Sequence, residues 1–482
     1  MSRYQELAAT TEKLIVEGLL RPGDRLPSIR QACQTHKISP ITVGTAYQVL
    51  ENRGLIEAHP KSGYFVRARL GSSLSEPAMS KPGSGTTELA VSDFIFRTLD
   101  SVKDSSVLPL GSSFPSPELF PLGRLGRSLA SAARRLTPQD TLADLPPGNT
   151  ELRRLLALRY QTHGATVSPD EIIITAGAME GLNLCLQAVT KPGDLIAVES
   201  PTFYAALQAA ERLGLNVVEI ASHPRDGLNL EALETVLQQH RVKACLFMLN
   251  FSNPSGSLMP DARKQMLIKL LQHHQVPLIE DDVYAELHFG ATPPLCSKAL
   301  DHDGLIMHVS SFSKNLAPGY RIGWVAAGRY VEQIRRQKLT TSLATSAPIQ
   351  AALATYLKQG GYDKHLRQLR SKLAAQEAKL IDQVARYFPA TTRVSRPQGG
   401  YFIWLELPQG CDALAVHQQA LAHGISTAPG PIFSAKRQYG HFLRLNFGHP
   451  ESPRQEAAIA LLGQLIENQL AHPSVPIKNT TS

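Results

Sequence analysis

The sequence has few cysteines, and their placement suits neither a zinc site nor a disulfide framework. The five cysteines among 482 residues are odd in number, scattered and never arranged as Cys-x-x-Cys, so we expect reduced thiols and no metal. No apolar run approaches the roughly 20 residues of a membrane span. The opening Met-Ser-Arg-Tyr-Gln-Glu does not resemble a secretory leader. These absences predict a cytoplasmic protein without a membrane partner.

Length and charge indicate more than one domain and an anionic partner. A chain of 482 residues exceeds the usual size of a single hydrophobic core. Its 43% hydrophobic and 19% charged residues are ordinary for a globular protein. The formal net charge of +8 and the pI near 9.2 favour binding to an acidic molecule.

The first seventy residues have the pattern of three short helices followed by a hairpin. Leucine and isoleucine recur on one side of the first helix, and Arg-Pro-Gly-Asp after it is a turn. Ser39 is a good N-cap and Pro40 suits the first position of the third helix. This order predicts a winged helix-turn-helix over residues 1–70. The predicted helices cover residues 5–20, 25–33 and 38–52, and the predicted strands cover residues 55–58 and 64–67.

Two stretches of this region, Pro-Gly-Asp-Arg-Leu-Pro-Ser-Ile-Arg at 22–30 and Ser-Gly-Tyr-Phe-Val at 62–66, closely resemble the DNA-binding head of the GntR family. The resemblance implies binding to double-stranded promoter DNA. Ten Lys or Arg against six Asp or Glu in residues 1–70 agree with a surface that faces phosphates. The DNA-binding residues that the resemblance implies are Ser28, Arg30, Ser39, Pro40, Thr42, Lys61 and Gly63.

A segment rich in Ser, Gly and Pro follows the head. Residues 71–87 have no apolar period, and this composition is typical of a flexible tether. We therefore predict a flexible linker over residues 71–90, a second domain over residues 91–470 and a tail over residues 471–482. A helix is expected near the start of the second domain, at 91–101.

A single lysine lies among hydroxyl groups in Ser-Ser-Phe-Ser-Lys-Asn-Leu-Ala-Pro-Gly-Tyr-Arg-Ile-Gly-Trp at 310–324. A phosphorylated aldehyde needs an amine for a Schiff base, and hydroxyls with a guanidinium for its phosphate. The stretch resembles the lysine signature of fold-type I pyridoxal 5'-phosphate (PLP) enzymes, the aspartate aminotransferase superfamily. By that resemblance Lys314 is the catalytic lysine, while Ser311, Ser313 and Arg321 hold the phosphate.

Four further segments, which all precede the lysine in the chain, occur in the same order as in that superfamily. An apolar strand ends in carboxylates at 278–284, where α/β folds bind ligands. A pyridinium nitrogen needs an anion opposite it; the family pattern implies Asp281, with Asp282 as the competing choice. The other cofactor contacts implied by the resemblance are Tyr284 and Asn253 at the ring oxygen, Phe203 on the ring face, and the backbone of Ala178 and Met179 at the phosphate.

The segments at 397–404 and 442–447 resemble the small-domain strands of aminotransferases. Arg444 lies in an alternating apolar pattern, and a guanidinium can bind a carboxylate through two parallel hydrogen bonds. The resemblance therefore implies that Arg444, together with Asn253, binds the α-carboxylate of an amino compound. The expected fold is an α/β body of the fold-type I aminotransferase kind, with a mainly parallel large sheet and a smaller α+β subdomain.

Both halves together resemble the MocR subfamily of GntR regulators. This resemblance implies a PLP-dependent transcription regulator whose effector is an amino compound or PLP itself. It also implies a homodimer with heads exchanged across partner bodies. A working aminotransferase with an attached head is the main alternative, because Lys314 and Asp281 would allow proton transfer. An inert scaffold without PLP is a third reading, against which the intact lysine signature argues.

Overall fold

The computed structural model describes residues 3–16, 19–20, 23–52, 55–59, 63–66, 74–83, 85–99, 106–139, 145–450 and 452–472. None of the helices in these ranges is long and apolar enough to cross a membrane. The α-helices are α1 Arg3–Val16, α2 Ile29–His36, α3 Pro40–Asn52, α4 Ser92–Leu99, α5 Leu122–Ala133, α6 Thr150–Thr162, α7 Ala178–Val189, α8 Tyr204–Arg212, α9 Leu230–Gln239, α10 Asp261–His274, α11 Val331–Thr341, α12 Ala347–Lys358, α13 Gly361–Tyr387, α14 Ala413–Ala422 and α15 Pro453–Ala471.

Short strands alternate with these helices. The strands are β1 Ile56–His59, β2 Gly63–Val66, β3 Thr87–Glu88, β4 Ile172–Thr175, β5 Leu195–Ser200, β6 Asn216–His223, β7 Gly227–Leu228, β8 Val242–Phe247, β9 Leu278–Asp281, β10 Ile306–Ser311, β11 Gly323–Ala326, β12 Arg393–Val394, β13 Phe402–Glu406, β14 Ala428–Pro429 and β15 Phe442–Asn446. Single 3-10 turns lie at Pro117–Leu119, Pro169–Glu171, Ala285–Leu287, Ser297–Leu300, Pro318–Tyr320, Gly328–Tyr330 and Gly430–Phe433.

The head has the predicted winged helix-turn-helix, with different helix ends. α1 ends at Val16 rather than at residue 20: the N–H groups of Leu19 and Leu20 both donate to Leu14 O, which marks a turn, and Leu19 is 68% exposed. α2 begins four residues later than expected, because Leu26 N donates to Tyr64 O of the wing at 2.8 Å and keeps this stretch extended.

Local caps fix the two later helices. Ser28 accepts a hydrogen bond from Gln31 N, and the Gln31 side chain accepts one from Ser28 N, which is a capping box at the start of α2. Thr42 N donates to Ser39 Oγ at 3.2 Å, so the predicted N-cap of α3 is confirmed. β1 and β2 form the antiparallel wing over a core that contains Leu7, Tyr47 and Leu50.

The segment after the head differs from the predicted flexible linker. In its described parts, residues 74–83 and 85–90, it lies against the rest of the chain. Leu74 is buried, Val394 N donates to Ser75 O at 2.9 Å, and Ser80 N donates to Ser222 O at 3.0 Å. β3 then pairs with β6. The segment is held by hydrogen bonds to the edges of strands and not by a periodic row of apolar side chains. Its sequence therefore gives no sign of this attachment. We call residues 74–90 the strap.

The large sheet has nine strands in the order β3-β6-β5-β8-β9-β10-β11-β4, with β7 beside β6. Its centre, from β6 to β10, is parallel, and β11 and β4 are antiparallel additions. The expectation of a mainly parallel large sheet is thus confirmed. The carboxyl ends of β9 and β10 lie side by side at one edge, because residue 281 of β9 is paired with residue 309 of β10.

The small sheet is antiparallel, in the order β12-β13-β15-β14. The predicted small-domain strands are present as β13 and β15, with Trp404 opposite Arg444. This sheet shares a buried core with α13, α14 and α15. We call the part of the body around the large sheet the large lobe, and the part around the small sheet the small lobe.

Candidate functional site

Lys314 lies shortly after the carboxyl end of β10 and is half-buried. Its Nζ donates to Ser113 O at 2.8 Å and is 3.8 Å from the centre of the Phe114 ring. Burial lowers the pKa of Lys314 to about 7; Asp281 opposes this shift, while the positive charges of Arg444 and Arg321 add to it. A neutral amine is therefore available near neutral pH, which is the form that attacks a carbonyl.

Asp281 ends β9 in the same region and is 4% exposed. Its Oδ1 has no hydrogen-bond partner among the described residues. Burial raises its pKa to about 7, although Lys314 acts in the opposite direction. A buried, unsatisfied carboxylate oxygen is costly unless a cationic donor binds it.

Asp282, the competing choice, is already paired on both oxygens. Its Oδ1 accepts from Asn250 Nδ2 at 2.9 Å, and its Oδ2 is 2.9 Å from His308 Nε2. Hydrogen bonds with His308 lower the pKa of Asp282 against the effect of burial. Of the two neighbouring carboxylates, Asp281 is the one with an oxygen left for a ligand.

Asn253 and Arg444 are brought together by the two lobes. Arg444 of β15 is fully buried, and its Nη1 donates to Asn253 Oδ1 at 2.7 Å and to Ser113 Oγ at 3.3 Å. Its Nη2 donates to Gly111 O. Asn253 Nδ2 and Arg444 Nε have no partner among the described residues. Both side chains thus keep donors for a further group.

Two tyrosines form a wall beside this pair. Tyr284 is 1% exposed, and its ring centre is 5.4 Å from that of Tyr401. Tyr401 donates to Ser113 O at 3.0 Å. Burial raises the pKa of Tyr284 strongly, although the positive charge of Arg444 opposes the shift, so its hydroxyl is a proton donor at neutral pH.

The start of α7 and Arg321 form another part of the site, which we call the phosphate corner. Gly177 precedes the helix with a φ of 86° and no side-chain cap, so the first N–H groups of α7, which include those of Ala178 and Met179, are open. Arg321 donates to Ser313 Oγ at 3.4 Å and to Ala176 O at 3.2 Å. Open helix N–H groups beside a guanidinium suit a phosphate.

The phosphate corner has no room for a side chain at Gly177, and its two serines are buried. A Cβ atom at Gly177 would lie 2.5 Å from Arg321 Nη2, so only glycine leaves room for the guanidinium. Ser311 and Ser313 are both buried, and Ser313 N donates to Ser311 Oγ at 3.4 Å.

Phe203 directly precedes α8 and is half-buried. Its ring centre is 4.8 Å from that of Tyr204, whose hydroxyl lies 3.0 Å from Ser113 Oγ. The predicted stacking of Phe203 on a cofactor ring stays a prediction.

Sequence reasoning missed the loop at 111–114 and the two tyrosines that contact it, Tyr204 and Tyr401. Ser113 contacts Lys314, Arg444, Tyr204 and Tyr401, so it lies at the centre of the site. The Gly-Ser-Ser sequence before Phe114 has the composition of an ordinary loop. Its position depends on contacts with residues more than ninety positions away in the chain.

The predicted DNA contacts lie at the starts of the head helices and at the wing. Ser28 and Arg30 are exposed around the start of α2, and Ser39 and Pro40 are exposed at the start of α3. Thr42 is half-buried, with its hydroxyl 2.8 Å from Ser39 Oγ. Gly63 begins β2 with a φ of 102°. Lys61 lies outside the described residues.

One buried cluster behind β9 has the chemical types of metal ligands. One ligand atom each from Glu280, Cys296 and His308 lies within 4.8 Å of the others. Ser297 Oγ donates to Glu280 Oε2, and His308 is bonded to Asp282. His308 Nδ1 also lies 2.8 Å from the Tyr160 hydroxyl, so both ring nitrogens of His308 have partners, while Glu280 Oε1 has none among the described residues; we assign no metal to the cluster. All five cysteines are free thiols.

Comparison with known families gives two matches. Residues 125–461 match the family described as aminotransferase class I and II. Residues 3–66 match bacterial regulatory proteins of the gntR family. The first matched segment contains the body with the site around Lys314, and the second coincides with the winged helix. We call the site that gathers Lys314, Asp281, Asn253 and Arg444 the cleft.

Individual relatives agree with these matches. An Escherichia coli protein named as the uncharacterized HTH-type transcriptional regulator YdcR is 46% identical over 471 residues, which cover 98% of this chain and 100% of the relative. The structure of a Pyrococcus horikoshii kynurenine aminotransferase, in complex with PMP, is 29% identical with a TM-score of 0.73 and covers 80% of this chain and 96% of that chain. The structure of the α-aminoadipate aminotransferase LysN from Thermus thermophilus, complexed with N-(5'-phosphopyridoxyl)-L-leucine, is 26% identical with a TM-score of 0.70 and covers 80% of this chain and 100% of that chain.

Proposed function

Since the chain belongs to the aminotransferase class I and II family and joins a gntR-type head to that body, as in the MocR subfamily, we propose that it is a PLP-dependent transcription regulator. The head binds promoter DNA, and the body binds PLP and senses an amino compound. The observation that carries the proposal is a winged helix on the same chain as a cleft that gathers Lys314, Asp281, Asn253 and Arg444.

The residues of the cleft fit PLP. Members of the family are PLP-dependent. Three buried polar atoms have no partner within the described ranges, and they are the kinds of atom that such a ligand would satisfy: Asp281 Oδ1, Asn253 Nδ2 and Arg444 Nε. The cradle at Gly177 leaves backbone N–H groups and Arg321 open to a phosphate.

Each residue has a distinct role in the proposal. When bound, PLP supplies an aldehyde carbon that exchanges amines and a ring that withdraws electrons. Lys314 provides the amine, and Asp281 holds a proton at the ring nitrogen. Asn253 and Tyr284 donate to the ring oxygen. Ala178 and Met179, Ser311, Ser313 and Arg321 bind the phosphate, and Phe203 covers the ring.

Arg444 and Lys314 define the class of effector. Both donate to Ser113, Arg444 to its hydroxyl and Lys314 to its carbonyl. An α-amino acid would place its carboxylate at Arg444 and its amine where the Lys314 amine lies, because both side chains converge on Ser113. The ligand would then replace the contacts that Ser113 makes with both side chains.

The strap offers a route from the cleft to the head. Ser75 accepts a hydrogen bond from β12 of the small lobe, and Ser80 donates one to β6 of the large lobe. A ligand that changes the position of one lobe relative to the other must therefore change the strap. Such a ligand acts on the head only through its different affinity for the two arrangements. We also propose that the protein acts as a homodimer with exchanged heads.

A working aminotransferase is the second candidate, favoured by the Lys314 amine. With a pKa lowered to about 7, this amine can accept and return a proton near neutral pH. Turnover with an amino acid and a keto acid on the order of 1–10³ s⁻¹ would establish catalysis as the main function. A regulator should show far slower turnover.

The first experiment tests the cofactor site. The purified chain, incubated with PLP and reduced with borohydride, should carry one adduct at Lys314. Lys314→Ala should abolish the adduct, and Lys372→Ala, at an exposed lysine, should leave it unchanged. An adduct on another lysine would show that the cofactor assignment is wrong.

The second experiment tests the head. The full chain should bind a fragment of its own promoter, and a chain without residues 1–70 should not. Adding candidate amino acids to the PLP-loaded chain should change the affinity for the fragment. DNA binding that survives removal of the head would refute the assignment to the winged helix.

A further inference from the structure

A cavity of about 420 Å³ lies between α5 and α12, at the start of α13. Arg124, Arg127, Ser128 and Ser131 line it from α5, and Tyr356 lines it from α12. None of these residues has a role in the proposed PLP cleft. The volume lies in the range of small-molecule sites.

The two arginines of the cavity have no acidic partner in the part of the chain that the structure describes. Arg124 and Arg127 are three positions apart in α5, and neither guanidinium makes a hydrogen bond or an ion pair with a described residue. By contrast, Arg135, shortly after the end of α5, donates to Thr355 Oγ1 at 3.1 Å. Like charges one helical turn apart repel each other, and an anion between them would remove that cost.

The third observation is a buried hydroxyl without a partner. Tyr356 is 2% exposed, and its hydroxyl has no hydrogen-bond partner among the described residues. A Cβ atom at Gly361 would lie 3.6 Å from Arg124 Nη1 and 3.6 Å from Tyr356 Cζ. The guanidinium and the phenol therefore converge on the same small space. Leaving a buried hydroxyl unpaired costs free energy that a ligand would recover.

From this geometry we propose that the cavity is a second oxyanion site, which binds the phosphate group of a small phosphorylated molecule. Two guanidinium groups match the charge of a phosphate monoester. The hydroxyls of Ser128, Ser131 and Tyr356 add donors for an anion with at least three acceptor oxygens. Ser128, like Tyr356, is buried. Because two of the donors are buried, a small molecule is a better fit than a phosphate held in the backbone of duplex DNA.

Calorimetry with inorganic phosphate tests the site on the full chain saturated with PLP, so that the proposed phosphate corner of the cleft is already filled. One phosphate should bind per chain. Arg124→Gln and Arg127→Gln should each weaken binding by about 10-fold or more, the effect of losing a charge-assisted hydrogen bond. Tyr356→Phe should also weaken it by about 10-fold. Arg134→Gln, a control at the end of the same helix, should leave the affinity unchanged.

The possible outcomes separate this site from the cleft and from DNA. The proposal is wrong if no phosphate binds, or if both arginine variants bind phosphate with the affinity of the parent chain. It is also wrong if Arg321→Ala removes the binding instead, since the phosphate would then lie in the cleft. A loss of promoter affinity in Arg124→Gln with unchanged phosphate binding would assign the arginines to DNA. Unchanged phosphate affinity in Tyr356→Phe would exclude the buried hydroxyl and with it the donor set proposed here.

Discussion

Replacing Arg444 is the most direct test of whether the cleft senses a carboxylate. A bidentate pair supplies two charge-assisted hydrogen bonds of about 1.5–3 kcal/mol each. The guanidinium already donates to Asn253, Gly111 and Ser113, and a ligand would exchange some of these bonds rather than add to them. The expected loss for Arg444→Ala is therefore near the lower limit, about 3 kcal/mol or roughly 10²-fold in affinity.

The assay is the change in the visible absorbance of the PLP-loaded chain on titration with an amino acid. Arg444→Ala should keep the starting spectrum and lose the response, and it should keep basal promoter affinity while losing its dependence on the amino acid. Arg444→Lys should lose about 10-fold, because it keeps the charge but not the fork. Arg393→Lys, in the exposed pair with Glu406 of the same sheet, is the control.

An unchanged amino-acid response in a folded Arg444→Ala protein would refute the assignment of the carboxylate site. If PLP itself is the effector, promoter affinity should follow PLP concentration alone, in the parent and in the variant alike.

Three other predictions concern the amine, the phosphate corner and the head. Covalent capture of PLP, followed by absorbance, should become faster with rising pH and level off above about pH 7, where Lys314 is neutral; Asp281→Asn should move this midpoint lower, because it removes the charge that raises the pKa of Lys314, and a midpoint near that of a free lysine would contradict the burial argument. Gly177→Ala should weaken PLP retention in dialysis by about 10-fold or more, because the new methyl displaces Arg321, whereas Gly193→Ala, at a glycine with similar φ but open space, should not. Arg30→Ala should weaken promoter binding in a gel-shift titration by about 1–3 kcal/mol, and Arg3→Ala, on α1, should change it little; equal effects would mean that Arg30 contributes only general charge.

The sequence alone could predict candidate site residues where characteristic side chains occur in segments of a recognisable order. Lys314, Asp281, Asn253 and Arg444 lie in separate segments. Asn253, Asp281 and Lys314 lie at or after the carboxyl ends of parallel strands, which meet at a common edge, and Arg444 reaches Asn253 from β15 of the antiparallel small sheet. The choice between Asp281 and Asp282 could not be made from the sequence. It depends on His308 and Asn250, which occupy Asp282 and are recognisable only after folding.

The strap and the loop at Ser113 were not predictable for a related reason. Their residues have loop composition, and their positions depend on hydrogen bonds to strands distant in sequence, such as that between Ser80 and Ser222. The start of α2 was misplaced because the wing competes for the backbone of the residues before α2. Helix propensity is a local property of the sequence. It does not include the pairing of these residues with a strand that lies later in the chain.

The attachment of the strap also limits how far a head can travel. Leu74 is held on the body by Arg396, which donates to its carbonyl at 3.3 Å, and the wing ends at Val66. The chain between these two residues can span at most about 29 Å, less than the roughly 34 Å of one turn of B-DNA. In the proposed dimer the separation of the two Leu74 anchors therefore limits the half-site spacing that the heads can bind. Lengthening the chain between Val66 and Leu74 would be the direct way to broaden the range of operators.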